Sequence, residues 1–290
     1  CRSEDKEKDL LDKIRIATII GTYQSTFSNF NYLTSGWKNN CEEERLLGVS
    51  LNGELDCKAI MSDDGSLLTK LKNQATKTNR EYSERFKINE STAITCTKPE
   101  GTGSQMLGVS SGAHPRYAKY YIRRVRISSS DPLFRLLRND GIPCQPEVGQ
   151  IDDTATTWVL EFPVKSPDSS IIRNDVSAVD QLEHWKKIKT NYAEHTVSMT
   201  VYVGKDEWLK VGNWVWDNWD IVSGISFLPK EDDQHIYKLA PYEEITKSEY
   251  QELVSKFPKI NFSKITEYET EDGTIGANEP ACISGSCEII

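Results

Sequence analysis

Cys96-Thr97-Lys98-Pro99-Glu100-Gly101-Thr102-Gly103-Ser104-Gln105 joins two elements of different periodicity. Before it, Ser91–Thr97 (STAITCT) is small, β-branched and uncharged, the pattern of a short buried strand. After it, residues 104–107 open a helix. The turn between them holds a proline, two glycines, a lysine and small hydroxyls. A strand that breaks on Gly and Thr into a helix start leaves free backbone N–H groups at a partly positive end. Such an end suits a phosphate. Backbone N–H groups from Gly101 to Ser104 face the anion in this reading, the Thr102 and Ser104 hydroxyls donate, and Lys98 adds a point charge. Glu100 repels phosphate and is better used capping a neighbouring turn. A plain strand–turn–helix connection has the same local pattern, so the rest of the chain must decide.

Upstream, residues 4–34 read as a long helix with Leu10, Leu11, Ile14, Ala17 and Ile20 near one face. Leu46–Leu51 is a short strand turning at Asn52-Gly53. Residues 64–86, rich in Lys, Asn and Glu, predict an exposed helix. Helices alternating with strands give the βαβ rhythm of a parallel sheet, whose sites sit at the carboxyl ends of strands. Gly108–Arg116 is a second turn, in which His114 reads as a loop residue, not a ligand.

Downstream, Tyr120–Ile127 predicts a strand carrying Arg123, Arg124 and Arg126 on a solvated or salt-bridged edge. Asp131-Pro132 starts a helix that Gly141 ends, and Ser177 caps one running to about Tyr192. His184 and Trp185 are assigned to packing there. Thr156–Val164, His195–Val203 and Ile221–Leu228 are further strands. Trp208, Trp214, Trp216 and Trp219 mark a helix over 205–219 whose aromatics are expected to fill core. Residues 247–256 are a short surface helix. From Tyr268 the composition turns to Glu, Asp, Thr, Gly and Asn, a flexible tail. Cys282 and Cys287 in it can close a small disulfide ring. A zinc site needs four ligands, and no other Cys or His lies close in sequence.

The chain has 290 residues, enough for one large or two small domains. A formal charge of −9 argues against broad binding to nucleic acid. No apolar run reaches membrane-spanning length, and the first nine residues are mostly charged, unlike a signal peptide. Seven scattered cysteines point to reduced thiols and a cytoplasmic protein. The chain begins with Cys1, as expected of a segment of a longer product, such as the part following an intein.

Thr97–Arg116 (TKPEGTGSQMLGVSSGAHPR) resembles the substrate-phosphate loop of adenosylcobalamin-dependent (class II) ribonucleotide reductases, and is closest in style to the monomeric ribonucleoside-triphosphate reductases. Ala281–Glu288 (ACISGSCE) resembles their redox-active tail. Glu42–Leu51 (EEERLLGVSL), residues 120–127 (YYIRRVRI), 218–229 (NWDIVSGISFLP) and 239–244 (LAPYEE) fit the same family, in the same order. One departure is Gly103, where the family most often has an apolar residue.

The resemblance implies an α/β fold, the C-terminal half of a ten-stranded reductase-type barrel over residues 1–267, and a flexible redox-active tail over 268–290. It implies conversion of ribonucleotides to deoxyribonucleotides by adenosylcobalamin-initiated radical chemistry, with Lys98, Pro99, Glu100, Gly101, Thr102, Gly103 and Ser104 at the substrate phosphates. Cys282 and Cys287 would re-reduce an active-site disulfide and be reloaded by thioredoxin or a similar reductant. The substrate would be a ribonucleoside di- or triphosphate, the likeness leaning to triphosphate. The family's radical cysteine, its barrel cysteine pair and its allosteric site find no match in this chain, and it has no Asn-Pro-Cys-Gly-Glu run. The segment alone is therefore expected to be inactive and to need the N-terminal half, covalent or separate. Two alternatives are a non-catalytic half-barrel that assembles with a separate N-terminal polypeptide, and an independent thiol-redox or nucleotide-binding module.

Overall fold

The computed structural model describes residues 1–230 and 238–269. In chain order the elements are α1 (Glu7–Gln24), α2 (Ser35–Glu44), β1 (Val49–Ser50), α3 (Lys58–Met61), α4 (Ser66–Phe86), β2 (Thr95–Cys96) and α5 (Gly103–Leu107). There follow β3 (Tyr120–Ser128), α6 (Pro132–Asn139), β4 (Cys144–Pro146), β5 (Thr157–Lys165) and α7 (Ala178–Asn191). The last are β6 (Met199–Val203), α8 (Trp208–Asp217), β7 (Ile225–Pro229), β8 (Tyr242–Glu244) and α9 (Lys247–Lys256). Counting described residues, one compact unit comprises 1–116 and 167–230 and the other 117–166 and 238–269.

The first unit is α/β, as the βαβ rhythm predicts. β1 runs parallel to β2 (Val49 opposite Thr95), and β6 runs parallel to β7 from Met199–Ile225 to Val203–Pro229. A parallel bridge between Thr97 and Val197 links the two pairs, and the Thr95 carbonyl accepts from the Glu194 and His195 N–H groups. The strand order is thus β1-β2-β6-β7. The ladders are shorter than the apolar runs. Flanking N–H groups go elsewhere: Ser91 donates to the Asn79 side chain at 2.9 Å and Ile94 to Glu194 Oε2 at 2.7 Å. The core joins Leu68 and Leu71 of α4, Leu182, Trp185 and Ile188 of α7, Tyr192, and Val197, Met199, Val201 and Val203 along β6, all buried. Fully burying such a side chain stabilises by about 1.5–3 kcal/mol.

Three helical expectations need correcting. Helix 64–86 is not simply exposed: Leu67, Leu68, Leu71, Ala75, Thr78, Asn79 and Ser83 form a buried face, much of it against α1. α1 stops at Gln24, and its buried stripe is Leu10, Ile14, Thr18 and Thr22, while Ala17 and Ile20 are exposed. Threonine tolerates that stripe because each hydroxyl donates back to the carbonyl four residues earlier, Thr18 to Ile14 at 2.7 Å and Thr22 to Thr18 at 2.8 Å. Of the tryptophans over 205–219 only Trp214 fills core; its indole donates to Glu183 at 2.6 Å, while Trp208, Trp216 and Trp219 are exposed.

The second unit carries an antiparallel sheet, β4-β5-β3-β8, that the parallel rhythm does not foresee. β3 and β5 pair over nine residues, from Tyr120–Lys165 to Ser128–Thr157. β3 is therefore an interior strand, not an edge. Its arginines are paired: Arg124 is buried between Glu161 and Glu243, and Arg126 meets Glu147. Asp131 caps α6 by accepting from the Leu133 N–H at 2.8 Å, with Pro132 in the first turn. Phe134, Leu137, Ile142, Trp158 and Leu160 make the core. No described helix of either unit is long and apolar enough to cross a membrane.

Candidate functional site

The glycine turn lies where β2 ends. Thr97 is buried, and from there Lys98, Pro99, Gly101 and Thr102 are exposed before α5 begins at Gly103. The loop is held from beneath. The Lys98 N–H donates to Ser50 Oγ at 3.1 Å and the Glu100 N–H to Ser111 Oγ at 2.7 Å. Gly112, at φ +51°, packs so closely that an added Cβ would lie 2.7 Å from the Lys98 carbonyl oxygen. Ser104 is buried and its hydroxyl donates to the Glu100 carbonyl, so it closes the turn inward instead of reaching outward. The Glu100 carboxylate lies over Gly103, where an added Cβ would require the flexible end of that side chain to move. Gly103 thus fits the loop that Glu100 makes. What the turn offers to solvent is Lys98, the Thr102 side chain and the Gly101–Thr102 backbone.

The support is a segment whose chemistry was not legible as a plain turn: residues 52–57 are all buried. Asn52 Oδ1 accepts from the Gly112 N–H at 2.8 Å. Glu54, with no exposed surface, accepts from Thr97 Oγ1 at 3.1 Å and lies 3.0 Å from His184 Nε2. Asp56 accepts from Arg116 Nη2 and from the Ser110 N–H, both at 2.8 Å, and from Ser170 Oγ at 2.6 Å. Arg116 also reaches the Gly108 carbonyl at 2.7 Å. Asp56 and Asn52 thus lock the turn 108–112, which in turn holds the loop, while Glu54 holds Thr97 at the loop's start. Glu54 and Asp56 alternate with Leu55 and Cys57, and burial obliges both carboxylates to find partners.

The three described histidines all have hydrogen-bond partners within the chain. His114 Nδ1 meets the Ser111 carbonyl at 3.0 Å and its Nε2 accepts from the Thr200 N–H at 2.9 Å, which uses both ring nitrogens. Burial lowers its pKa, against an opposing pull from the Ser111 bond and the Glu54 charge. His195 Nε2 lies 2.9 Å from the Leu47 carbonyl. Beside the loop, burial raises the Cys96 thiol pKa. Glu194 clamps β2: burial opposes its charge, but the Ile94 and Thr95 N–H groups and Lys72 hold its pKa below the ordinary value. Cys282 and Cys287 lie outside the described residues. Cys1, Cys41, Cys57, Cys96 and Cys144 are free thiols, and no described cluster of His, Cys, Asp or Glu is grouped to hold a metal.

No family model matches the chain. It is similar to the adenosylcobalamin-dependent ribonucleoside-triphosphate reductase of Lactobacillus helveticus, 26% identical over 301 residues, covering 92% of this chain and 39% of the relative. The enzyme of that name from Euglena gracilis is 32% identical over 177 residues, covering 61% of this chain and 24% of its own. This chain is thus similar in sequence to the adenosylcobalamin-dependent ribonucleoside-triphosphate reductases. A crystal structure of a B12-dependent (class II) ribonucleotide reductase superposes with a TM-score of 0.76 at 22% identity, covering 91% of this chain and 40% of that one. That likeness establishes a shared α/β fold. The chain spans well under half the length of these relatives.

Proposed function

We propose that this chain is the C-terminal portion of an adenosylcobalamin-dependent ribonucleotide reductase that replaces the ribose 2′-hydroxyl of a ribonucleoside di- or triphosphate by hydrogen. The observation that carries this reading is an exposed Lys98–Thr102 turn at the carboxyl end of a parallel strand, in a chain whose homology to such reductases runs over 92% of its length. Strands β1-β2-β6-β7 are its share of a ten-stranded barrel. Lys98, Thr102 and the backbone from Gly101 to Gly103 hold the substrate phosphates, while Pro99, Glu100 and Ser104 shape the turn.

The reduction takes two electrons from a cysteine pair, which becomes a disulfide as water leaves. The Cys282 and Cys287 thiols then exchange with that disulfide, become oxidised themselves, and are reloaded by thioredoxin or a similar dithiol. Adenosylcobalamin supplies the radical that starts the reaction when bound. The fit of this chain alone to that cofactor is poor. A polar depression of about 670 Å³ in the second unit and a groove of about 300 Å³ in the first are sized for drug-like ligands, not for a corrin ring with its nucleotide and adenosyl groups. We assign the cofactor to a site completed by the remaining polypeptide, and the chain alone is inactive.

The test is made in the complete reductase. Cys282→Ser abolishes thioredoxin-driven turnover and spares much of the turnover driven by a small dithiol. Lys98→Ala raises KM for the nucleotide about tenfold, the loss of one charge-assisted contact. Equal loss with both reductants contradicts the shuttle, and turnover by the isolated 290-residue chain contradicts the partial-site reading.

A further inference from the structure

Helix α1 carries an apolar stripe on its exposed side as well as on its buried one. Its buried stripe ends in two threonines, Thr18 and Thr22, yet Ile16, Ile20 and Tyr23 on another face are half exposed. With Phe27 just past the helix they recur at intervals of four, three and four residues, the spacing of a helix-packing stripe. From Ile16 to Phe27 this stripe runs roughly 16 Å at the helical rise. It continues through Phe27 into the groove of about 300 Å³, walled by Phe30, Trp37 and Leu46. Ile16, Ile20, Tyr23, Phe27, Trp37 and Leu46 are each between 52% and 63% exposed.

A contiguous apolar patch with a groove in it marks an interaction site. The groove also holds an unmet polar demand. Arg45 lines it and is 9% exposed; its Nη1 donates to the Ser25 carbonyl at 2.6 Å, but its Nε is buried with no hydrogen-bond partner among the described residues. An occupant that brings an apolar stripe and one carbonyl or carboxylate oxygen satisfies both features. The length of the relatives says what that occupant is: this chain covers only 39% of the Lactobacillus helveticus enzyme, so most of a reductase polypeptide is available to cover the patch.

We infer that the outer stripe of α1 and the groove beside α2 are a docking surface for the part of the reductase outside this chain, engaged by a helix of that part with an apolar face. The inference rests on the reductase reading above and adds to it the surface through which the two parts join.

Hydroxyl-radical footprinting tests it, comparing the 290-residue chain with the polypeptide or complex purified from the native source through peptides of this sequence. Oxidation of Tyr23, Phe27 and Trp37 falls at least fivefold in the larger species. In a second arm, Ile16→Glu/Ile20→Glu leaves the circular dichroism and melting temperature of the isolated chain unchanged but destabilises the larger species. Equal oxidation of the three aromatics in both samples overturns the surface. If that larger species still reduces ribonucleotides with adenosylcobalamin, only this inference falls. If it does not, the reductase reading falls with it. A native species of 32.9 kDa without a partner, or protection in the isolated chain that tracks dimer formation by light scattering, also overturns the proposed occupant.

Discussion

Replacing Arg116 by methionine tests whether the buried carboxylates support the loop. Arg116 is 6% exposed and Asp56 1%, so neither charge has much recourse to water. In Arg116→Met, Asp56 keeps the Ser110 N–H and the Ser170 hydroxyl but loses its counter-charge, and the Gly108 carbonyl loses a donor. Breaking a buried pair from one side costs about 3–5 kcal/mol, chiefly because the remaining charge is stranded. For a unit of this size that is a fall of roughly 6–20 °C in melting temperature. All tryptophans but Trp158 belong to the first unit, so intrinsic fluorescence in a urea titration reports mainly on it. The midpoint should fall with little change in slope. Asp56→Asn/Arg116→Met should cost less than the sum of the single changes, by about 1–3 kcal/mol. A loss below about 1 kcal/mol for Arg116→Met, or additivity within about 0.5 kcal/mol, refutes the argument.

Gly112→Ala forces a Cβ onto the Lys98 carbonyl at a positive φ, so it should cost about 1–3 kcal/mol and weaken nucleotide binding; wild-type stability would show that the contact relaxes freely. His114 has a folded pKa below the ordinary value of about 6.5, so the unfolded chain binds more protons in that window. Its stabilising effect is full above about pH 6.5 and is lost as pH falls through the folded value; His114→Gln should flatten that slope in melts from pH 7.5 to 5, and an unchanged slope argues against it. Glu194→Gln should cost about 1 kcal/mol at neutral pH, allowing for solvent screening. The depressed carboxylate contributes above the ordinary glutamate range and loses that contribution as pH falls through its folded pKa, so mutant and wild type should converge once pH lies below it.

The features that could be read from sequence are those whose physics is local. Asp131-Pro132 and the Ser177 cap, reinforced by Asp180 three residues on, announce helix starts within one turn of chain. The glycine turn after β2 is likewise where its composition puts it. Features that depend on a distant partner were hidden. Arg124 reads as an edge arginine until Glu161 and Glu243 arrive from neighbouring strands. Glu54 and Asp56 pair with His184 and Arg116, which lie 130 and 60 residues away in sequence. The buried face of α1 escaped because counting apolar residues cannot see that a threonine bonded to its own helix buries as well as a valine. Trp216 and Trp219 misled in the opposite sense, since aromatic density says nothing of which side a neighbour covers.

The Thr97–Val197 bridge bears on the order in which the molecule forms. Glu194 reaches back 100 residues to the Ile94 N–H, so the join between β2 and β6 is a long loop closure. The whole β3–β5 ladder is made by the intervening segment and closes a much shorter loop. On a ribosome, that hairpin sheet can assemble while β1 and β2 still present an unpaired parallel edge. The interval between those events is when the nascent chain is most open to wrong partners, and it lasts until β6 has emerged.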